Sequence, residues 1–292
     1  LRTVSLKIFI RISTSMKCMI YENDVIDENY NFLSSIIQSA EDNCIELLHD
    51  FLVLFTQRFC TNPNPKLQSL SAHFFSDLIS SCPSAIDDKM KEQMITFVIH
   101  IVDEKGDRYG FEFLRVVSTH PELASSIAQT AYALCLKQMQ LPFVESETFM
   151  YMRDGAVSTL ILYLINAFGD TFDSHQYLPL LLNSLPLQID FSENLMVLTY
   201  FKSLLPKIIE MGLLESYLRV LILTFSIPPS SIEQLQIDSE LQSSLLQICA
   251  SLLSQSKNGN EFVSVTLKAN QDRAKYLETY LNKVAMPAIP EE

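Results

Sequence analysis

The sequence predicts an all-α chain of stacked antiparallel helical hairpins, and three observations predict it. Apolar residues recur at the i, i+3, i+4, i+7 spacing of one helix face in segment after segment. Unit starts near Lys66, Asp107, Met152, Phe191 and Ile232 repeat about every 40 residues, the period of HEAT-type helical pairs and longer than the ~34 of tetratricopeptide repeats. Hydrophobic residues make up 48% of the 292, yet Gly numbers only 6, too few for a turn-rich sheet protein. The expected architecture is therefore an α-solenoid of HEAT type, in which each hairpin buries its second apolar face on a neighbour.

In chain order, LRTVSLKIFIRISTSMKCM carries Arg2, Lys7, Arg11 and Lys17 without an acid and reads as a truncated amphipathic helix rather than a transit peptide. Because the first residue is Leu and not Met, the sequence is expected to be a piece of a longer chain. Glu22, Asp24, Asp27 and Glu28 follow with too little apolar periodicity for a helix and read as an acidic loop. Phe32, Ile36 and Ile37, then Leu47, Leu48, Phe51, Phe55 and Phe59, give the first complete hairpin. Asn62-Pro63-Asn64-Pro65 forces a turn, because closely spaced prolines bar a helix through the residues before them.

Leu67, Leu70, Phe74, Leu78 and Ile79 then form one stripe, and Met90, Met94, Phe97, Val98 and Ile101 its partner, ended by Lys105-Gly106-Asp107. Phe111, Phe113, Leu114 and Val117 begin the next pair. Pro121, at a first helical position, starts the helix through Ile127, Ala131, Leu134, Cys135 and Met139. After the loop from Leu141 to Thr148 comes the stretch from Asp154 to Asn194. There Val157, Leu160, Ile161, Leu164, Ile165 and Phe168 share a face, Gly169-Asp170 breaks the helix, and Tyr177, Leu178, Leu181, Leu182 and Leu185 form a second stripe stopped by Pro186. Asp190-x-x-Glu193 has the spacing of a capping box opening a helix through Leu195, Leu198 and Phe201.

Leu204-Leu205-Pro206 interrupts that helix, and Pro228-Pro229 ends the next. One long helix is expected from Ile232 to Leu253, and a last one from Phe262 to Val284 as a polar cap before a loose MPAIPEE tail. The resulting division is 1–29, truncated helix and acidic loop; 30–227, HEAT-like repeats; and 228–292, helical cap and tail.

The segment QYLPLLLNSLPLQIDFSEN resembles the "LP-apolar-x-L-x-x-LPL-x-x-D-x-x-E" stretch near the C-terminus of the karyopherin-β (importin-β) nuclear transport receptors, in the branch that carries ribosomal proteins and histones. The matching positions are Leu178, Pro179, Leu182, Leu185, Pro186, Leu187, Asp190 and Glu193. GAVSTLILYLINAFGDTF fills the place of the family's preceding helix, with Gly169-Asp170 where the family usually has Pro. Upstream, Asn62-Pro63-Asn64-Pro65 and LQSLSAHFFSDLISSCP are similar to its Pro-rich turn and following helix, and the resemblance covers most of Asn31 to Pro206. It implies a shuttling receptor, moving between cytoplasm and nucleus, that binds basic protein cargo and the Phe-Gly segments of nucleoporins. Ran GTPase would act through N-terminal repeats that this stretch lacks.

The formal net charge of −13 opposes binding to a phosphate backbone and favours basic partners. The acids expected to face a partner are Glu22, Asp24, Asp27 and Glu28, followed by Asp190 and Glu193. Arg273, Lys275, Tyr276, Tyr280 and Lys283 form the one basic-aromatic cluster, and it reads as a solvated cap. Cys18, Cys44, Cys60, Cys82, Cys135 and Cys249 are widely spaced among apolar residues and read as buried thiols. No apolar run reaches the ~18 residues of a membrane span, since Glu215 and Arg219 interrupt LLESYLRVLILTFSI.

His49, His73, His100, His120 and His175 stand in no zinc-ligand spacing, and neither a nucleophile elbow nor a phosphate-cradling glycine loop is present. No catalytic, cofactor-binding or metal-binding residue is assigned, and no enzymatic activity or cofactor is expected. The competing reading is a general HEAT scaffold of the phosphatase-regulatory-subunit kind, which would share the fold and the charge but not LPLLLNSLPLQIDFSEN.

Overall fold

The computed structural model describes residues 61, 64–81, 83, 86–169 and 173–285. Every regular element among them is helical, as the apolar periodicity requires, and the helices pack in a repeat-like arrangement. The hairpin expected between Phe32 and Phe59, the loop of Glu22, Asp24, Asp27 and Glu28, and the MPAIPEE tail lie outside the described residues.

The chain divides into two compact units, one comprising Leu1–Cys135 with Leu162–Gly169, the other Leu136–Ile161 with Asp170–Glu292. In the first, α1 (Pro65–Ser81) packs against both α2 (Asp88–Lys105) and α3 (Arg108–Ser118), and α2 packs against α3. Phe74, Phe75, Phe111 and Phe113 are wholly buried, and the Phe75 ring meets Phe97 and Phe113 edge-on at centroid distances of 6.1 and 6.5 Å. Each such burial is worth roughly 1.5–3 kcal/mol. The turn at Lys105-Gly106-Asp107 forms as expected: Gly106 takes the left-handed conformation at φ 63°, and Asp107 accepts the amide of Gly110 at 2.9 Å to start α3. α4 (Pro121–Gln140) begins at its proline.

Asp caps recur. Asp87 accepts from Met90 at 2.7 Å, Asp173 from His175 at 3.0 Å and Asp238 from Leu241 at 2.7 Å, so part of the chain's acidity serves helix termini.

α5 (Glu147–Tyr163) runs into a π-helical turn, Leu164–Phe168. The wider turn retards the side-chain phase. Leu164 is buried, but Ile165, expected on the same stripe, is 49% exposed. The Asn166 amide group instead donates to the Ser118 carbonyl at 3.1 Å, and the Phe168 ring meets Tyr132 edge-on.

In the second unit α6 (Ser174–Ser184) buries Tyr177, Leu178, Leu181 and Leu182, and Leu185 beyond its end is buried too. α7 (Asn194–Ser203), α8 (Leu205–Glu210) and α9 (Leu214–Phe225) follow; the break before α8 falls at Pro206 as expected, while the one between α8 and α9 interrupts a stretch expected to run unbroken to Pro228, because Gly212 turns left-handed at φ 68°. α9 is the hub of the unit, packing against α6, α8, α10 (Ser239–Gln255), α11 (Gly259–Thr266) and α12 (Gln271–Ala285). Tyr217 stacks face to face on Phe201 with centroids 4.1 Å apart.

Two expected helices are shorter than their apolar periodicity suggests. Ile232 and Leu235 belong to a 3-10 turn, Pro229–Leu235, because Gln236 turns left-handed at φ 52° and Asp238 caps a fresh helix. The last helix splits into α11 and α12 at Lys268 and Ala269, which take φ of 51° and 56°.

Candidate functional site

The segment Leu178–Glu193 is held in place by a carboxylate from the preceding helix. Asp154, in the first half of α5, is fully buried, an expensive position for an ionisable group unless the charge is met by donors. After α6 ends, Pro186 contributes no amide, and the three consecutive amides that follow Leu187 converge on one oxygen. Gln188, Ile189 and Asp190 each donate a backbone N–H to Asp154 Oδ2, at 2.8, 2.8 and 3.0 Å. Gln188 also donates its side-chain amide to the Pro186 carbonyl at 2.7 Å. Successive amides turned inward make a nest for negative charge.

Burial raises the Asp154 pKa, the three amide bonds oppose it, and the nearby Asp190 carboxylate adds to the rise. The other oxygen, Oδ1, is buried and has no hydrogen-bond partner among the described residues. The last turn of α6, just before this loop, carries two cations. Arg219 donates to the Leu182 carbonyl at 2.6 Å, and Arg153 makes a longer contact of 3.5 Å to the Asn183 carbonyl. Cations suit the exposed carbonyls of a helix C-terminus.

On its outer side the loop borders a groove of about 290 Å³, walled by Leu187 and Phe191, by Leu223 and Ile227 from the end of α9, by Leu235 and by Arg273. Arg273 is fixed by hydrogen bonds to Ser226, donating to its hydroxyl at 2.6 and 3.1 Å and its carbonyl at 3.3 Å. Among the described residues of the groove wall Arg273 is the one ionisable side chain, and Gln188, Thr224 and Gln234 add neutral polar groups beside it.

Of the acids expected to face a partner, Asp190 and Glu193 are half-buried. The capping box predicted for them does not form. Asp190 Oδ1 accepts the Ser192 hydroxyl at 2.7 Å, and neither acid caps a backbone amide with its side chain. The Asp190 amide is committed to Asp154 instead, which pulls the chain into a 3-10 turn, Phe191–Glu193, ahead of α7. Glu22, Asp24, Asp27 and Glu28 lie outside the described residues. The reading from sequence singled out none of Arg153, Asp154 and Arg219 as site residues. The available signal was an Arg-Asp pair followed by an otherwise apolar helix. Among the described residues no cluster of His, Cys, Asp or Glu is arranged to hold a metal ion, and no helix is long and apolar enough to cross a membrane.

No family model matches the chain, and no curated protein matches it. Among solved structures, the chain is similar to an engineered protein from the Northeast Structural Genomics Consortium, at 12% identity and a TM-score of 0.37, over 93% of this chain and 98% of that one.

Proposed function

We infer that this chain is the C-terminal part of a nuclear import receptor of the karyopherin-β kind. It binds basic protein cargo of ribosomal-protein or histone type, contacts Phe-Gly nucleoporins in transit and shuttles between cytoplasm and nucleus. Ran GTPase drives release through repeats upstream of this stretch. The observation that carries the reading is the segment QYLPLLLNSLPLQIDFSEN. The net charge of −13 supports it as an attraction for basic cargo, and the helical packing supports it as a suitable scaffold.

The test is binding of the chain to a fluorescent lysine-rich histone-tail peptide across a salt series, with a neutral peptide of equal length as control. Expected are selective binding, a loss of affinity of about tenfold between 50 and 200 mM salt, and a further loss on joint reversal of Glu22, Asp24, Asp27 and Glu28 to Lys. The full-length parent should release cargo to Ran in its GTP form and not its GDP form. A parent that holds its partner regardless of Ran's nucleotide would favour the general scaffold.

A further inference from the structure

Two arginines in the second unit are placed side by side, and among the described residues the one carboxylate whose charge acts on the pair is that of Asp154, the sequence neighbour of Arg153. Arg153 comes from α5 and Arg219 from α9, and they reach neighbouring carbonyls, Asn183 and Leu182, in the last turn of α6. Both are half-buried. Among the described residues neither makes an ion pair. Asp154, next to Arg153 in sequence, partly offsets the burial of that arginine through its charge, but it is turned to the loop amides through one oxygen, has its other oxygen buried, and makes no ion pair with Arg153 among the described residues.

Each guanidinium carries five N–H donors and, among the described residues, makes one hydrogen bond to protein, where the Arg153 Nε is also buried without an acceptor. Burial lowers the Arg219 pKa, and the charge of Arg153 lowers it further. Helix capping explains one cation at these carbonyls. It does not explain two that repel each other, in a chain with 34 acids from which a partner could be drawn.

We propose that Arg153 and Arg219 form an oxyanion-binding site, which receives the phosphate or carboxylate side chains of a protein partner at the rim formed by α5, α6 and α9. Two adjacent planar forks match a group with several acceptor oxygens, and such charge-assisted bonds are about twice as strong as neutral ones. The proposal does not depend on the import reading, which concerns basic cargo and acidic residues.

The test is fluorescence anisotropy of the full chain with a labelled Gly-Ser-rich peptide bearing two phosphoserines. The same peptide with two glutamates and with two serines, and unlabelled inorganic pyrophosphate as competitor, separate phosphate, carboxylate and free-ion sources. Expected are binding of the phosphoserine or glutamate peptide well above the serine peptide, and a loss of at least about tenfold in Arg153→Gln and in Arg219→Gln. Arg153→Lys and Arg219→Lys, which keep the charge but not the fork, should fall between; they also serve if a Gln variant does not fold. Arg108→Gln, an exposed arginine of the other unit, should bind like the wild type. Equal binding of all three peptides overturns the proposal, as do unchanged affinity in the Arg153 and Arg219 variants, an equal loss in Arg108→Gln, or binding confined to pyrophosphate.

Discussion

Asp154 Oδ2 lies 2.8 Å from the backbone nitrogen of Ile189, thirty-five residues further along the chain, with the amides of Gln188 and Asp190 on the same oxygen. One carboxylate therefore ties the middle of α5 to the loop that follows α6, and its protonation should register in stability. Burial raises its pKa, so the folded chain holds this proton more tightly than the unfolded chain does. That contribution is complete below the unfolded carboxyl pKa near ~4 and is lost as pH rises through the raised folded value. Asp154→Asn removes the titration and keeps an acceptor. Denaturation midpoints measured from pH 4 to 7 should therefore move in favour of Asp154→Asn relative to the wild type as pH increases; parallel profiles would refute the assignment. Asp154→Ala, which strands three amides, should cost about 1–3 kcal/mol at every pH.

Gly110 lies where α3 crosses α2. A Cβ there would overlap Cγ2 of Val102 and stand 3.6 Å from Cγ1 of Val98, and Val102 is itself buried. Gly110→Ala gains about 1 kcal/mol in helix propensity but forces a β-branched core side chain aside at a cost of about 1–3 kcal/mol. Net destabilisation is expected. Val102→Ala, which deletes the colliding methyl groups, should lose less stability in the Gly110→Ala background than in the wild type. Additive effects in that double-mutant cycle would show that the two positions do not collide.

Tyr217 is fully buried and stacked on Phe201, while its hydroxyl has no hydrogen-bond partner among the described residues. Burial drives its pKa far up, so the phenol stays neutral throughout the usable pH range. Tyr217→Phe retains the ring and removes an unsatisfied polar atom, and should be neutral or stabilising by up to about 1 kcal/mol. Tyr217→Ala should lose about 3–5 kcal/mol by opening a cavity in the hub of the second unit. A clear loss of stability in the Phe variant, measured by urea denaturation, would mean that the hydroxyl is hydrogen-bonded.

The parts of this fold legible in sequence are those governed by local rules. Gly106, Pro121, Pro186 and Pro206 mark helix ends because they act on their own backbone, and Leu178, Leu181 and Leu182 mark a buried face because 3.6-residue periodicity needs no partner to be read. The role of Asp154 was hidden, since its three partners lie beyond a whole helix and a capping box at Asp190 and Glu193 offered a nearer explanation. Ile165 was misplaced for a related reason: the π turn that carries it outward has no breaker residue to announce it. The pairing of Arg153 with Arg219 depends on α5 and α9 both reaching α6, a tertiary relation that periodicity does not encode.

The break between α11 and α12 was also hidden, and here the local chemistry can be corrected. The Ala269 amide donates to Ser264 and the Lys268 amide to Val265, at 2.7 and 3.1 Å, the paired bonds with which many helices end on a left-handed glycine. This chain puts Lys268 there, at φ 51°, where a side chain costs about 1–2 kcal/mol. Lys268 is exposed, so removing its side chain sacrifices no packing. Lys268→Gly relieves the strain while loosening the unfolded chain, for a net gain of about 0.5–1 kcal/mol, and Lys268→Asn should gain less. Urea denaturation of the three proteins checks the order Gly above Asn above Lys. If Lys268→Gly is instead less stable than the wild type, the two helices do not end and begin at this residue in solution.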